Sequence, residues 1–223
     1  MMHSRLAGMA VKRPSAALLL VQILSILLYP LLHDTAIGRG AFRVVGLFVL
    51  GVALYVVKRG PWLTGFAALL AVPVMVLSIW LAFHFDPRTQ AITAALSAVF
   101  YFYATGSLIA YMLDDEFASV DELFAAGATF TLLAWAFAYV FVVCQFVLPG
   151  SFGAGAGPGG SRTWLELLFT SFTTLSGVGL SDIVPVLPMA RSLVMIEEFS
   201  GVMYIALVVS RLIALSVTTR GAR

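Results

Sequence analysis

Apolar runs close to twenty residues long recur along this chain, each separated from the next by a short polar break. No other feature constrains the fold as strongly. A bilayer core about 30 Å thick takes about 20 residues of helix per crossing, and it offers no water to an open backbone. The runs fall at 14–32, 42–57, 62–84, 91–113, 124–148 and 189–217, which predicts six spans and an all-α membrane protein. Composition agrees: 61% of the 223 residues are hydrophobic and 11% are charged. A soluble domain carries about twice that charge.

Several local features follow from the same reading. Arg5, Lys12 and Arg13 precede the first run as in a signal peptide. That run is long, though, and no small-residue cleavage site follows it, so it is expected to be retained. Pro30 and Pro73 lie inside spans and are expected to kink them. Cys144 stands alone, which leaves a packed thiol and no disulfide within the chain. The formal net charge is +2 with no dense basic patch, which excludes a nucleic-acid partner and leaves membrane lipid as the expected surroundings.

Basic residues orient the spans. With the N-terminus in the cytoplasm, the inner side holds Arg5, Lys12, Arg13, Lys58, Arg59, Arg211, Arg220 and Arg223. The outer side holds Arg39, Arg43, Arg88, Arg162 and Arg191. This balance predicts a multi-pass protein of the cell (inner) membrane with both termini cytoplasmic.

One long connection breaks the rhythm, between the fifth and sixth spans. Gly- and Pro-rich residues 149–160 open it, and an apolar run at 164–175 follows that is too short to cross. Such a segment reads as a re-entrant helix on the outer side. It ends in hydroxyl residues, Ser171, Thr173 and Thr174, and then in Ser176-Gly177-Val178-Gly179-Leu180-Ser181-Asp182. Alternating glycines accept positive φ without steric cost. Successive carbonyls can then turn toward one axis, where four copies would replace an ion's hydration shell.

Gly177-Val178-Gly179-Leu180-Ser181-Asp182 resembles the T-x-G-Y-G-D signature of the potassium-channel superfamily, and Ile183-Val184-Pro185 matches its usual exit. The likeness continues through Pro188–Leu193 and Ile196–Tyr204, as in the inner helix of small bacterial members. The resemblance implies a tetrameric pore of six-helix subunits. Residues 1–113 form a peripheral four-helix domain, 114–123 a cytoplasmic linker and 124–223 the pore domain. It also implies an ion filter at Ser176–Ser181 and an anionic ring at the outer mouth from Asp182. Gly201 is either a packing notch or the inner-helix hinge, and the resemblance favours the hinge. Val202, Ile205, Val209 and Ile213 are placed on the pore-lining stripe. The permeant ion is K+ or Na+; no cofactor and no bound metal beyond that monovalent cation are expected.

Three positions depart from the signature. Gly177 replaces a threonine and removes a ring of hydroxyls. Leu180 replaces the tyrosine that braces the filter from behind, leaving packing alone to hold it. Ser181 replaces a glycine and is expected to be strained wherever positive φ is required. Poor rejection of Na+ is the expected consequence. The acids Glu197 and Glu198 lie inside the sixth span, where a carboxyl is expensive and by default functional. Both are placed as buried acids, and one or the other is expected to make the protein sensitive to outer pH. Being adjacent, they face about 100° apart, so one is expected to reach the pore helix at Ser171 or Thr174 and the other to meet water near the outer leaflet. The fourth span, 91–113, contains no Arg or Lys, which excludes an ordinary voltage sensor. The short tail after the sixth span is expected to leave no room for a ligand-binding domain. The class is not enzymatic: no nucleophile or metal constellation is present. The altered filter also admits a non-conducting channel-fold scaffold or partner subunit. A secondary transporter ranks last, because the 164–182 unit is not repeated.

Overall fold

The computed structural model describes residues 14–32, 61–84, 86–114, 120–154 and 160–221. Six helices appear among them: α1 (Pro14–Leu32), α2 (Pro61–Phe83), α3 (Pro87–Asp114), α4 (Val120–Val147), α5 (Trp164–Leu175) and α6 (Pro188–Gly221). Two three-residue strands, β1 (Phe152–Ala154) and β2 (Ile183–Pro185), pair antiparallel with Gly153 opposite Val184. The expected span at 42–57 lies outside the described residues. Within them, Pro87–Leu113 and Val120–Val147 are long and apolar enough to cross a membrane. α2 runs through Pro73. α5 has 12 residues, which at 1.5 Å per residue is too short for a crossing.

Hydroxyl groups enter these apolar helices by bonding within them. Thr93, Ser97, Thr129 and Thr131 each donate to the carbonyl four residues earlier. Each proton is thereby satisfied without water. Cys144 is buried with a free thiol.

The chain divides into two compact units. One combines residues up to Phe85 with Phe102–Leu132. There α1 lies along the first half of α4: Ser15 Oγ donates to Asp121 Oδ2 at 2.8 Å, and Gln22 Nε2 to the Ala128 carbonyl at 3.3 Å. Between them, the space where a side chain on Gly127 would stand is taken by Leu19. The rings of Phe66 and Tyr103 meet edge to face at 5.0 Å.

The other unit combines Asp86–Tyr101 with Leu133–Arg223. Asp86 caps α3, its carboxylate accepting the N–H and hydroxyl of Thr89 at 2.8 and 2.7 Å. Those two bonds hold its carboxyl below the ordinary aspartate range. In the same unit, α5 packs against α6 and β2. Ala190, Glu197, Gly201 and Tyr204 form the buried stripe of α6. Their spacings of seven, four and three place them on one helical face.

Candidate pore loop

The direction of α5 is set where it begins. Thr163 Oγ1 accepts the Glu166 N–H at 3.3 Å, and Glu166 Oε2 accepts the Thr163 N–H at 2.6 Å. This reciprocal pair is a capping box, and Thr-x-x-Glu before an apolar run is its sequence signature. Gln145 of α4 holds the preceding residue, donating to the Arg162 carbonyl at 2.9 Å and accepting its N–H at 2.8 Å. Trp164 meets Trp135 edge to face, with ring centroids 5.3 Å apart.

The other end closes as a Schellman motif. The Val178 N–H reaches the Thr173 carbonyl at 3.0 Å, and the Gly177 N–H reaches that of Thr174 at 2.9 Å. Gly177 occupies the left-handed position of that motif at φ 71°. The Gly179 N–H also bonds the Thr173 carbonyl, at 2.9 Å, and Gly179 has φ 67°. Three successive amides, 177 to 179, thus point back at the helix end. No cis peptide occurs among the described residues, and in a trans unit N–H and C=O point opposite ways. The carbonyls of Ser176, Gly177 and Val178 therefore project away from α5 together. The negative end of the helix dipole lies at the same place. Such an array presents oxygen lone pairs of the kind a cation binds.

A family model described as ion channel matches residues 98–217, more than half of the 223 residues. The chain belongs to the potassium-channel superfamily. No curated protein and no solved structure matches it. The match runs from within α3 through α4, α5, the loop and α6, and the family is one of membrane channels, not of enzymes.

In this channel, Ser181 departs from its expected strain. No non-glycine residue among those described has positive φ. The chain has left the glycine-dependent turn at Gly179 and is entering β2. Nor is the loop held by packing alone: Ser181 Oγ lies 2.9 Å from Thr170 Oγ1 on α5 and accepts the Ile183 N–H at 3.1 Å. Leu180 and Val178 are 74% and 57% exposed, and Asp182 is exposed too. The Ser176 hydroxyl donates to the Thr173 carbonyl at 3.1 Å, and Thr173 Oγ1 to the Thr170 carbonyl at 2.9 Å.

The two acids separate. Glu197 is fully buried against Ser171, whose hydroxyl bonds both its Oε1 and the Ala134 carbonyl of α4, the latter at 2.7 Å. Glu198, expected to be buried, is exposed instead, about 100° round the helix from Glu197. It lines a depression of about 200 Å³ with Thr174, Ser181 and other loop residues. Gly201 packs as a notch, the alternative to the hinge that the resemblance favours: a Cβ there would lie 2.0 Å from the Leu175 carbonyl oxygen. α6 continues helical through it to Gly221. Val202 and Ile205 are exposed, about 100° from Gly201 and Tyr204. The side chains of Val209 and Ile213 lie outside the described residues. Sequence reasoning did not single out Thr170, Gln145 or the carbonyls of Ala134 and Leu175. Only the Thr163–Glu166 capping box left a readable signal.

Proposed function

We propose that this chain is the pore-forming subunit of a potassium-channel-like cation channel, a homotetramer embedded in membrane lipid. Each subunit crosses the cell membrane six times with both termini in the cytoplasm, and α5 is its re-entrant pore helix. The single observation that carries this reading is the shared direction of the Ser176, Gly177 and Val178 carbonyls, which follows from the amides of 177–179. One chain supplies one set of oxygens; four sets around an axis surround a dehydrated cation. Ser176–Ser181 form the filter, Asp182 its outer rim, and Val202, Ile205, Val209 and Ile213 the inner lining. Residues 1–113 are peripheral, 114–123 link and 124–223 conduct. The permeant ion is K+ or Na+, without a cofactor. K+ passes with incomplete rejection of Na+, since Gly177 and Leu180 carry no hydroxyl for coordination or bracing.

Purified tetramer in a planar bilayer should carry cation current, with a reversal potential that moves when Na+ replaces K+ on one side. Absence of current through tetramers of verified mass would overturn the reading, leaving a non-conducting scaffold or partner subunit.

A further inference from the structure

The family signature places its brace at the residue that is Leu180 here, and Leu180 is 74% exposed with only a hydrocarbon side chain to offer. The next residue carries the polar contact instead. Thr170 Oγ1 donates to the Glu166 carbonyl one turn back, at 2.9 Å. A threonine hydroxyl has one proton, so in the 2.9 Å contact between Thr170 Oγ1 and Ser181 Oγ the donor is Ser181. Ser181 Oγ in turn accepts the Ile183 N–H at 3.1 Å. The chain of bonds therefore runs one way, from the Ile183 amide to the Ser181 hydroxyl, to the Thr170 hydroxyl, to the Glu166 carbonyl. Each hydroxyl accepts one bond and donates one, so neither is left unsatisfied.

Its two ends are rigid. Glu166 is locked in the capping box at the start of α5, and Ile183 opens β2, paired to β1 opposite Ala154. Thr170 is 2% exposed, which shields the link from competing water. We propose that Thr170 and Ser181 are positioning residues that brace the outer leg of the filter within one subunit, replacing the missing brace at position 180. This rests on the filter reading above. Glycine at 181 would restore the family pattern and remove the brace, since Ser181 needs no positive φ here.

The test measures two things on lipid-embedded tetramer: amide hydrogen exchange at Ile183, and the reversal potential in mixed K+ and Na+. Thr170→Val keeps the Ile183–Ser181 bond and deletes only the anchor. It should raise Ile183 exchange by roughly threefold to tenfold, the scale of one hydrogen bond, and lower the K+/Na+ permeability ratio. Ser181→Gly should do the same, and Thr170→Ser should restore both values. Mass measurement confirms that each variant is tetrameric. Exchange in Thr170→Val equal to the unmodified protein would overturn the brace, even if current persists. Raised exchange in a protein that never conducts would uphold the brace and overturn the filter reading. Raised exchange with an unchanged permeability ratio would overturn its role in selectivity.

Discussion

Two glycines of the site resist substitution for opposite reasons, and the difference is measurable. Around Gly177 nothing would touch an added Cβ, but φ is +71°. Gly177→Ala should therefore cost about 1–2 kcal/mol per subunit through the left-handed backbone alone. Gly177→Thr, the change toward the family signature, adds a branched side chain at the same φ and should cost at least as much. Gly201 is a packing problem. Its missing Cβ leaves room for the Leu175 carbonyl at 2.0 Å, and backbone cannot swing aside as a side chain can. Gly201→Ala should cost about 3 kcal/mol or more. Thermal dissociation of the assembled protein ranks the two. If Gly201→Ala melts with the unmodified protein, α5 and α6 are not in contact there.

Between elements, Ser171 ties α5 to α4 and α6 through Ala134 and Glu197. Ser171→Ala leaves a fully buried carboxyl without that partner and should destabilise by about 2 kcal/mol. Removing both polar groups is cheaper than removing one, so Ser171→Ala with Glu197→Met should recover most of the loss. Glu197→Gln, with an amide donor in place of the carboxyl, should stay close to the unmodified protein. A double variant no more stable than Ser171→Ala would show that Glu197 draws its stability from elsewhere. The cap of α3 has a pH sign of its own. Bonding to Thr89 lowers the Asp86 pKa from 3.8, so its contribution is fully present above that value and is lost as pH falls through the lower folded one. Helix content measured on acidification should fall only below about pH 3.8 at this cap; Asp86→Asn should remove that dependence.

At the scale of the assembly, the proposed filter strand would place oxygens on one side of an ion only. Native mass measurement in lipid should therefore give four chains; a stable monomer or dimer would count against the pore. Residues 91–113 contain no Lys or Arg. Each elementary charge crossing the membrane field would contribute about 2.3 kcal/mol per 100 mV. Open probability should accordingly vary little with voltage, and a steep voltage curve would place gating charge elsewhere in the chain.

The sequence alone determined the apolar character of the chain, the helices among the described residues and the place of the loop, because those are local properties. A run of apolar residues is long enough to cross or it is not. The run at 164–175 coincides with α5, and Gly177 and Gly179 are the two loop glycines with positive φ. What tertiary structure decided is every partnership across helices. Two adjacent glutamates are equivalent in the sequence until packing buries one against Ser171 and exposes the other. Gly201 reads as hinge or notch in the sequence, and only packing sets the Leu175 carbonyl against it. Ser181 reads as strain until its φ stays negative and its hydroxyl meets Thr170, eleven residues earlier in the chain. No periodicity encodes such contacts. They arise where a chain folded by its apolar runs brings polar groups together in a place without water, and each must find a partner there.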